Sequence, residues 1–125
     1  MNNLSLLKNF PSSFILGTAT SSYQIEGKKY GGCGKSIWDD FARKKLNGID
    51  GLNACNHYEY FEEDIKLIKD LGFNAYRFSF SWPRLLPENN NDINMDGVDF
   101  YKRLLDKILE SDLEPFPTLY HWYLP

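Results

Sequence analysis

The chain has 125 residues, with 14 Lys or Arg against 17 Asp or Glu, for a formal net charge of -3 at pH 7. Its 42% hydrophobic share is that of one ordinary globular domain, and it has no basic surplus with which to neutralise a phosphate backbone, which argues against nucleic acid. No apolar run approaches the roughly 20 residues that span a bilayer, which argues against membrane attachment. Met1 to Phe10 lacks the continuous apolar segment of a secretion signal, so a cytoplasmic protein is expected, with Asn3-Leu4-Ser5 a chance match to a glycosylation acceptor. Cys33 and Cys55 are too few for a zinc pattern and are read as reduced thiols.

Phe14 to Gly27 opens with apolar residues, continues through small and β-tolerant ones, and reads as a strand ending in a functional loop that carries Gln24. Lys28 to Cys55 shows neither a period of 2 nor one of 3.6 and is broken by glycines. A long functional loop is expected there, tied down by burial of Trp38 and Phe41. Gly31-Gly32-Cys33-Gly34-Lys35-Ser36 ends like a phosphate loop, but the position that should hold the first glycine is Lys29. Asn56 with Glu59 reads as a capping box, followed by a helix whose stripe is Tyr58, Phe61, Ile65 and Ile68 and whose stop is Gly72.

Asn74 to Trp82 alternates, with Tyr76, Phe78 and Phe80 on one face and Ala75, Arg77, Ser79 and Ser81 on the other. A polar loop is expected at 89–92. A second amphipathic helix follows from about Asp96, with Val98, Tyr101, Leu105 and Ile108 on its apolar side, ending before Pro115. Phe116 to Trp122 is the third extended run, in which Pro117 calls for a bulge or an unpaired N–H position.

Strand, helix, strand, helix, strand in this order predicts right-handed crossovers and a parallel sheet. Two architectures fit, an open doubly wound sheet and the start of an eight-stranded barrel, and the polar face of the second strand favours the barrel. Its inward-pointing Arg77 then needs a carboxylate, either that of an active site or a structural partner. Gln24, Arg77, His121 and Trp122 all fall at strand ends on the predicted mouth. The 16% aromatic content, much of it beside polar residues, suits stacking on pyranose rings as well as plain core packing. Glu114-Pro115 starts a strand, the wrong end of a barrel for an acid, and is set aside.

The runs FILGTATSSYQIEG (14–27), KSIWDDF (35–41), AYRFSFSWPR (75–84) and TLYHW (118–122) resemble, in order, the N-terminal third of glycoside hydrolase family 1, the β-glucosidase family. The resemblance implies an α/β fold, with residues 1–125 as the incomplete N-terminal part of a single (β/α)8 TIM-barrel domain, about three of its eight strands. It implies a retaining β-glycosidase without cofactor or metal, acting on terminal β-linked glucosyl residues of small glucosides or oligosaccharides. By the same resemblance Gln24, His121 and Trp122 bind glycone hydroxyls, and Arg77 neighbours the nucleophile. Both catalytic glutamates are expected after later strands, so the 125 residues alone are expected to be inactive. A 6-phospho-β-glucosidase and a non-catalytic sugar-binding relative are the alternatives. Leu16, Lys28 and Tyr123 depart from the family pattern, the last standing where the familiar run has an Asp that could order the loop.

Overall fold

The computed structural model describes residues 10–88 and 92–125; the Asn3-Leu4-Ser5 sequence and most of the polar loop at 89–92 lie outside the described residues. Three strands, β1 (Gly17–Ala19), β2 (Ala75–Ser79) and β3 (Glu114–Thr118), form a parallel sheet in the order β1-β2-β3. The register pairs Thr18 with Tyr76 and Arg77 with Phe116. Between β1 and β2 lie helices α1 (Ser22–Ile25), α2 (Ile37–Lys45) and α3 (His57–Asp70); between β2 and β3 lie α4 (Trp82–Leu85) and α5 (Met95–Glu110). Among the described residues no helix is long and apolar enough to cross a membrane.

The alternation of β2 separates two environments. Tyr76 and Phe78 pack with Phe61 and Ile65 of α3 and with Phe100, Tyr101, Leu104 and Ile108 of α5 in one buried cluster. The α3 stripe falls as the spacing of its apolar residues predicts, with Tyr58 and Ile68 at its half-buried margins. On α5 the stripe is rotated: Phe100 and Leu104 are fully buried, whereas Val98 and Leu105, expected in its centre, are only half-buried. The reason is a close approach at Gly97, where any Cβ would meet the Arg84 carbonyl at 2.7 Å and which thereby sets the rotation of the helix against α4.

Helix ends explain two further differences. Gly72 at φ 86° closes α3 as expected, with Gly72 N–H on the Lys69 carbonyl and Phe73 N–H on that of Ile68, the paired bonds of a Schellman stop. The start of α3 works otherwise than the capping box predicts. Asn56 is left-handed at φ 54° and makes no side-chain cap; its amide donates to Glu59 Oε2 at 3.4 Å instead. The stretch 28–55, expected to be irregular, contains α2. Its first turn is organised by Asp39, whose Oδ2 accepts from Ser36 N at 2.7 Å and from Ser36 Oγ at 2.9 Å. Ala42 is the one buried residue of α2, Trp38 is half-buried and Phe41 exposed, so there was no apolar stripe to betray the helix.

β3 is shorter and earlier than the run 116–122. Glu114 N–H reaches the Asn74 carbonyl and Phe80 N–H the Thr118 carbonyl, so Glu114, Phe116 and Thr118 bond to β2. By the period of two, Pro115 and Pro117 turn toward the sheet's open edge, where no ladder donor is removed. The unpaired position expected for Pro117 is where it sits. At the other edge the Asn74 side chain extends the pairing of β1, its Oδ1 accepting from Leu16 N at 2.7 Å and its Nδ2 donating to the Phe14 carbonyl at 2.9 Å.

Candidate functional site

At the C-terminal ends of the strands, α1 and the loop after β3 face each other across an open pocket of about 360 Å³ lined by Ser21, Tyr23, Gln24, Trp38, His121 and Trp122. That volume lies within the ~300–1,000 Å³ of small-ligand sites. Gln24 reaches it because β1 runs directly into α1, whose N-terminus is pinned by Ser22 N–H donating to Ser79 Oγ at 2.9 Å. His121 and Trp122 do not close β3, as the extended run suggested; they lie in the loop beyond Thr118. Trp82 Nε1 donates to the Leu119 carbonyl at 2.7 Å and Trp38 Nε1 to that of Trp122, which holds this loop against α4 and α2.

The pocket mixes aromatic faces with polar tips. Trp122 is 70% exposed, its indole open to the pocket, and Tyr23 and Trp38 meet at 6.4 Å between centroids. His121 Nδ1 is buried without a hydrogen-bond partner among the described residues, a condition costing about 1–3 kcal/mol for a polar atom. A larger groove, of about 500 Å³, runs along α3 and α5 on the other side of the sheet. Its Glu62, Glu63, Lys66, Lys69, Lys107 and Glu110 are the opposed charges of two solvated helix faces, with no aromatic among them.

Arg77 stands apart from the pocket lining. Its side chain is exposed on the face of the sheet away from the helices, and its Nε donates to Thr118 Oγ1 at 3.0 Å. The carboxylate that an inward-facing guanidinium should require is absent among the described residues, because three strands leave this face in solvent and the charge is not desolvated. The structure therefore brings together Gln24, His121 and Trp122, with Arg77 on the neighbouring strand.

Residues 6–125 match the family described as glycosyl hydrolase family 1. The chain belongs to that family. β-Glucosidase A of Acetivibrio thermocellus is 51% identical over 120 residues, covering 93% of this chain and 27% of the relative. A β-glucosidase from Thermotoga maritima solved in complex with glucoimidazole superposes with a TM-score of 0.86 at 50% identity, over 93% of this chain and 27% of that one. The virulence factor SghA, solved with its substrate analog salicin, gives 0.89 at 43% identity, over 98% of this chain and 28% of that one. The chain thus spans less than a third of the length of the relatives it matches, and the fold is the N-terminal portion of the family 1 TIM barrel.

Among the described residues of this family 1 chain the most buried polar side chain is Arg84, paired with Glu26 in a cluster that the sequence patterns do not announce. Glu26 Oε2 accepts from Arg84 Nε at 2.9 Å and Oε1 from the Tyr101 hydroxyl at 2.7 Å, while Arg84 also donates to the carbonyls of Tyr30 and Gly27. The Arg84 guanidinium lies 4.4 Å from the Tyr58 ring centroid and 5.5 Å from that of Phe100. Burial pushes the Glu26 carboxyl up, with Arg84 and Tyr101 opposing, and Glu26 holds the Arg84 guanidinium up in turn. We take the pair as ionised, since every Arg84 nitrogen has an acceptor. It clamps the end of α1 to α4 and α5 and so fixes Gln24 from behind. A charged residue one place before Gly27, and another next to Pro83, were the only local signals.

The departures from the family pattern also have places. Lys28 forms an ion pair with Asp39, tying the loop after α1 to the first turn of α2. Leu16 donates its N–H to Asn74 and leaves its side chain half-buried. Tyr123, expected as a change within a loop, is 2% exposed and lies beneath the pocket, with its ring edge to face with Tyr23 at 5.1 Å.

Proposed function

We propose that this chain forms part of a retaining β-glycosidase, a β-glucosidase acting on terminal β-linked glucosyl residues of small glucosides or oligosaccharides, within one incomplete barrel domain spanning residues 1–125. The convergence of Gln24, His121 and Trp122 on one pocket carries the reading. An amide offers both a donor and an acceptor to vicinal hydroxyls, an imidazole adds one of each, and an indole face takes the C–H side of a pyranose. His121, with a ring nitrogen lacking a partner, gains most from a hydroxylated ligand. Two relatives solved with glucoimidazole and with salicin support the same ligand class.

Retention requires two carboxylates about 5–5.5 Å apart, one as acid and base and one as nucleophile. In this reading neither comes from residues 1–125. Gln24, His121 and Trp122 bind and orient the glycone, and Arg77, one strand across, lies beside the nucleophile and lowers its pKa. Thiols of Cys33 and Cys55 that form no disulfide agree with a cytoplasmic setting.

The test uses the purified 125-residue chain. Methyl β-D-glucopyranoside is expected to perturb the NMR signals of the Gln24 side-chain amide and the Trp122 indole, while an aryl β-glucoside is not turned over. Perturbation confined to the groove between α3 and α5, or turnover lost in Gln24→Ala, would contradict this assignment.

A further inference from the structure

Trp122 and Tyr123 are neighbours with opposite fates. Trp122 is 70% exposed at the pocket, and Tyr123 is 2% exposed beneath it. The backbone between them is strained, because Trp122 sits at φ 58°, a left-handed conformation that a bulky side chain adopts only when its surroundings impose it. Two attachments do so. From outside, the Trp38 indole of α2 donates to the Trp122 carbonyl. From inside, Tyr123 is a peg set among three other elements: its ring meets Tyr23 of α1 at 5.1 Å, and its hydroxyl lies 3.8 Å from Cys33 Sγ in the loop before α2 and bonds the Ser81 side chain ahead of α4. Cys33 Sγ is in turn 3.9 Å from Ser81 Oγ, at the start of α4.

Tyr23 is also the residue before Gln24, so the peg touches both walls of the pocket. We propose that Tyr123 is a positioning residue for the glycone site, holding the Trp122 indole and the His121 imidazole at a fixed distance from Gln24; the inference rests on the sugar-site reading above. The ring does the positioning through its edge against Tyr23 and its bulk under the strained peptide. The hydroxyl, at the tip of the side chain and away from the strained peptide, adds contacts to the Ser81 side chain and, at 3.8 Å, to the Cys33 thiol. Burial raises the phenol's pKa, so the peg is neutral. Without it the left-handed peptide has one attachment left, and relaxation of Trp122 would carry its carbonyl away from Trp38.

Hydrogen exchange of the indole N–H groups, followed by NMR on the whole chain, reads that event. Trp38 reports on the Trp122 carbonyl, and Trp82, bonded to Leu119, reports on the fold nearby. Tyr123→Ala is expected to speed exchange at Trp38 by about tenfold while leaving Trp82 within about twofold, and Tyr123→Phe to leave both unchanged. If both indoles open in Tyr123→Ala, Tyr123→Leu, which fills the volume without an aromatic edge, decides by the same comparison. Unaltered exchange at Trp38 in the deciding variant overturns the proposal, as does a Tyr123→Phe variant as open as Tyr123→Ala. Titration with methyl β-D-glucopyranoside separates this from the sugar reading: positioning predicts binding about tenfold weaker in Tyr123→Ala and near normal in Tyr123→Phe. If the unmodified chain binds no glucoside, the sugar reading falls, and the indole exchange still decides whether Tyr123 sets the wall.

Discussion

The two faces of β2 differ in how far the described residues complete them. On the helix side, Tyr76 and Phe78 are 1% and 2% exposed and pack against α3 and α5. On the other side Arg77 is exposed, its side chain bonded among the described residues to Thr118, although Ser79, two residues along, is buried against Ser22. A β/α unit therefore closes its outer layer locally, whereas the inner layer of a barrel is supplied by strands distant in sequence. Stability in this chain belongs to the first face, and the second is left open around Arg77.

That division can be broken most directly at Phe100. It is fully buried and touches the rings of Tyr58, His57, Phe61 and Tyr101, so Phe100→Ala should cost about 3–5 kcal/mol in urea unfolding followed by circular dichroism. A loss below about 1.5 kcal/mol would mean that the outer layer is not the source of stability.

Alkaline pH gives a second, smaller effect on the same face. Burial pushes the Tyr76 hydroxyl, bonded to Thr20 Oγ1 at 2.7 Å, up to about 12. Since the folded pKa is raised above the unfolded value near 10, its contribution is complete below pH 10 and is lost as pH rises through 12, a decline of about 3 kcal/mol. Urea midpoints measured from pH 9 to 12 should fall at least this far, and Tyr76→Phe should make the fall shallower by about that amount, the remainder coming from Tyr101 and Tyr123, whose hydroxyls burial also pushes up. On the open face, Arg77→Ala should change stability by less than about 0.5 kcal/mol. A cost above about 1.5 kcal/mol would show that the guanidinium is held by more than Thr118.

What could be read beforehand follows the same line between local and distant partners. The α3 stripe and its glycine stop are set by residues three or four apart, and both were legible. Helix α2 was not, because it buries only Ala42 and is organised by an Asp39 side chain rather than by an apolar face. The rotation of α5 depended on Gly97 against Arg84, a contact between elements. Of the pocket, Gln24, His121 and Trp122 were expected through family motifs, and the structure places them on one cavity. Tyr23 and Trp38, inside those same motifs, were passed over because an aromatic beside a polar residue reads equally as core. The clamp of Glu26 and Arg84 joins residues 58 apart, a distance at which no periodicity speaks.

The paired prolines of β3 bear on how the chain behaves in company. Pro115 and Pro117 both turn to the open edge, so that edge offers carbonyls at two successive outward positions and no hydrogen to give in return. Two copies meeting there would set oxygen against oxygen, which denies a growing fibril its template along this strand. A strand that comes to lie against β3 must bring the donors itself.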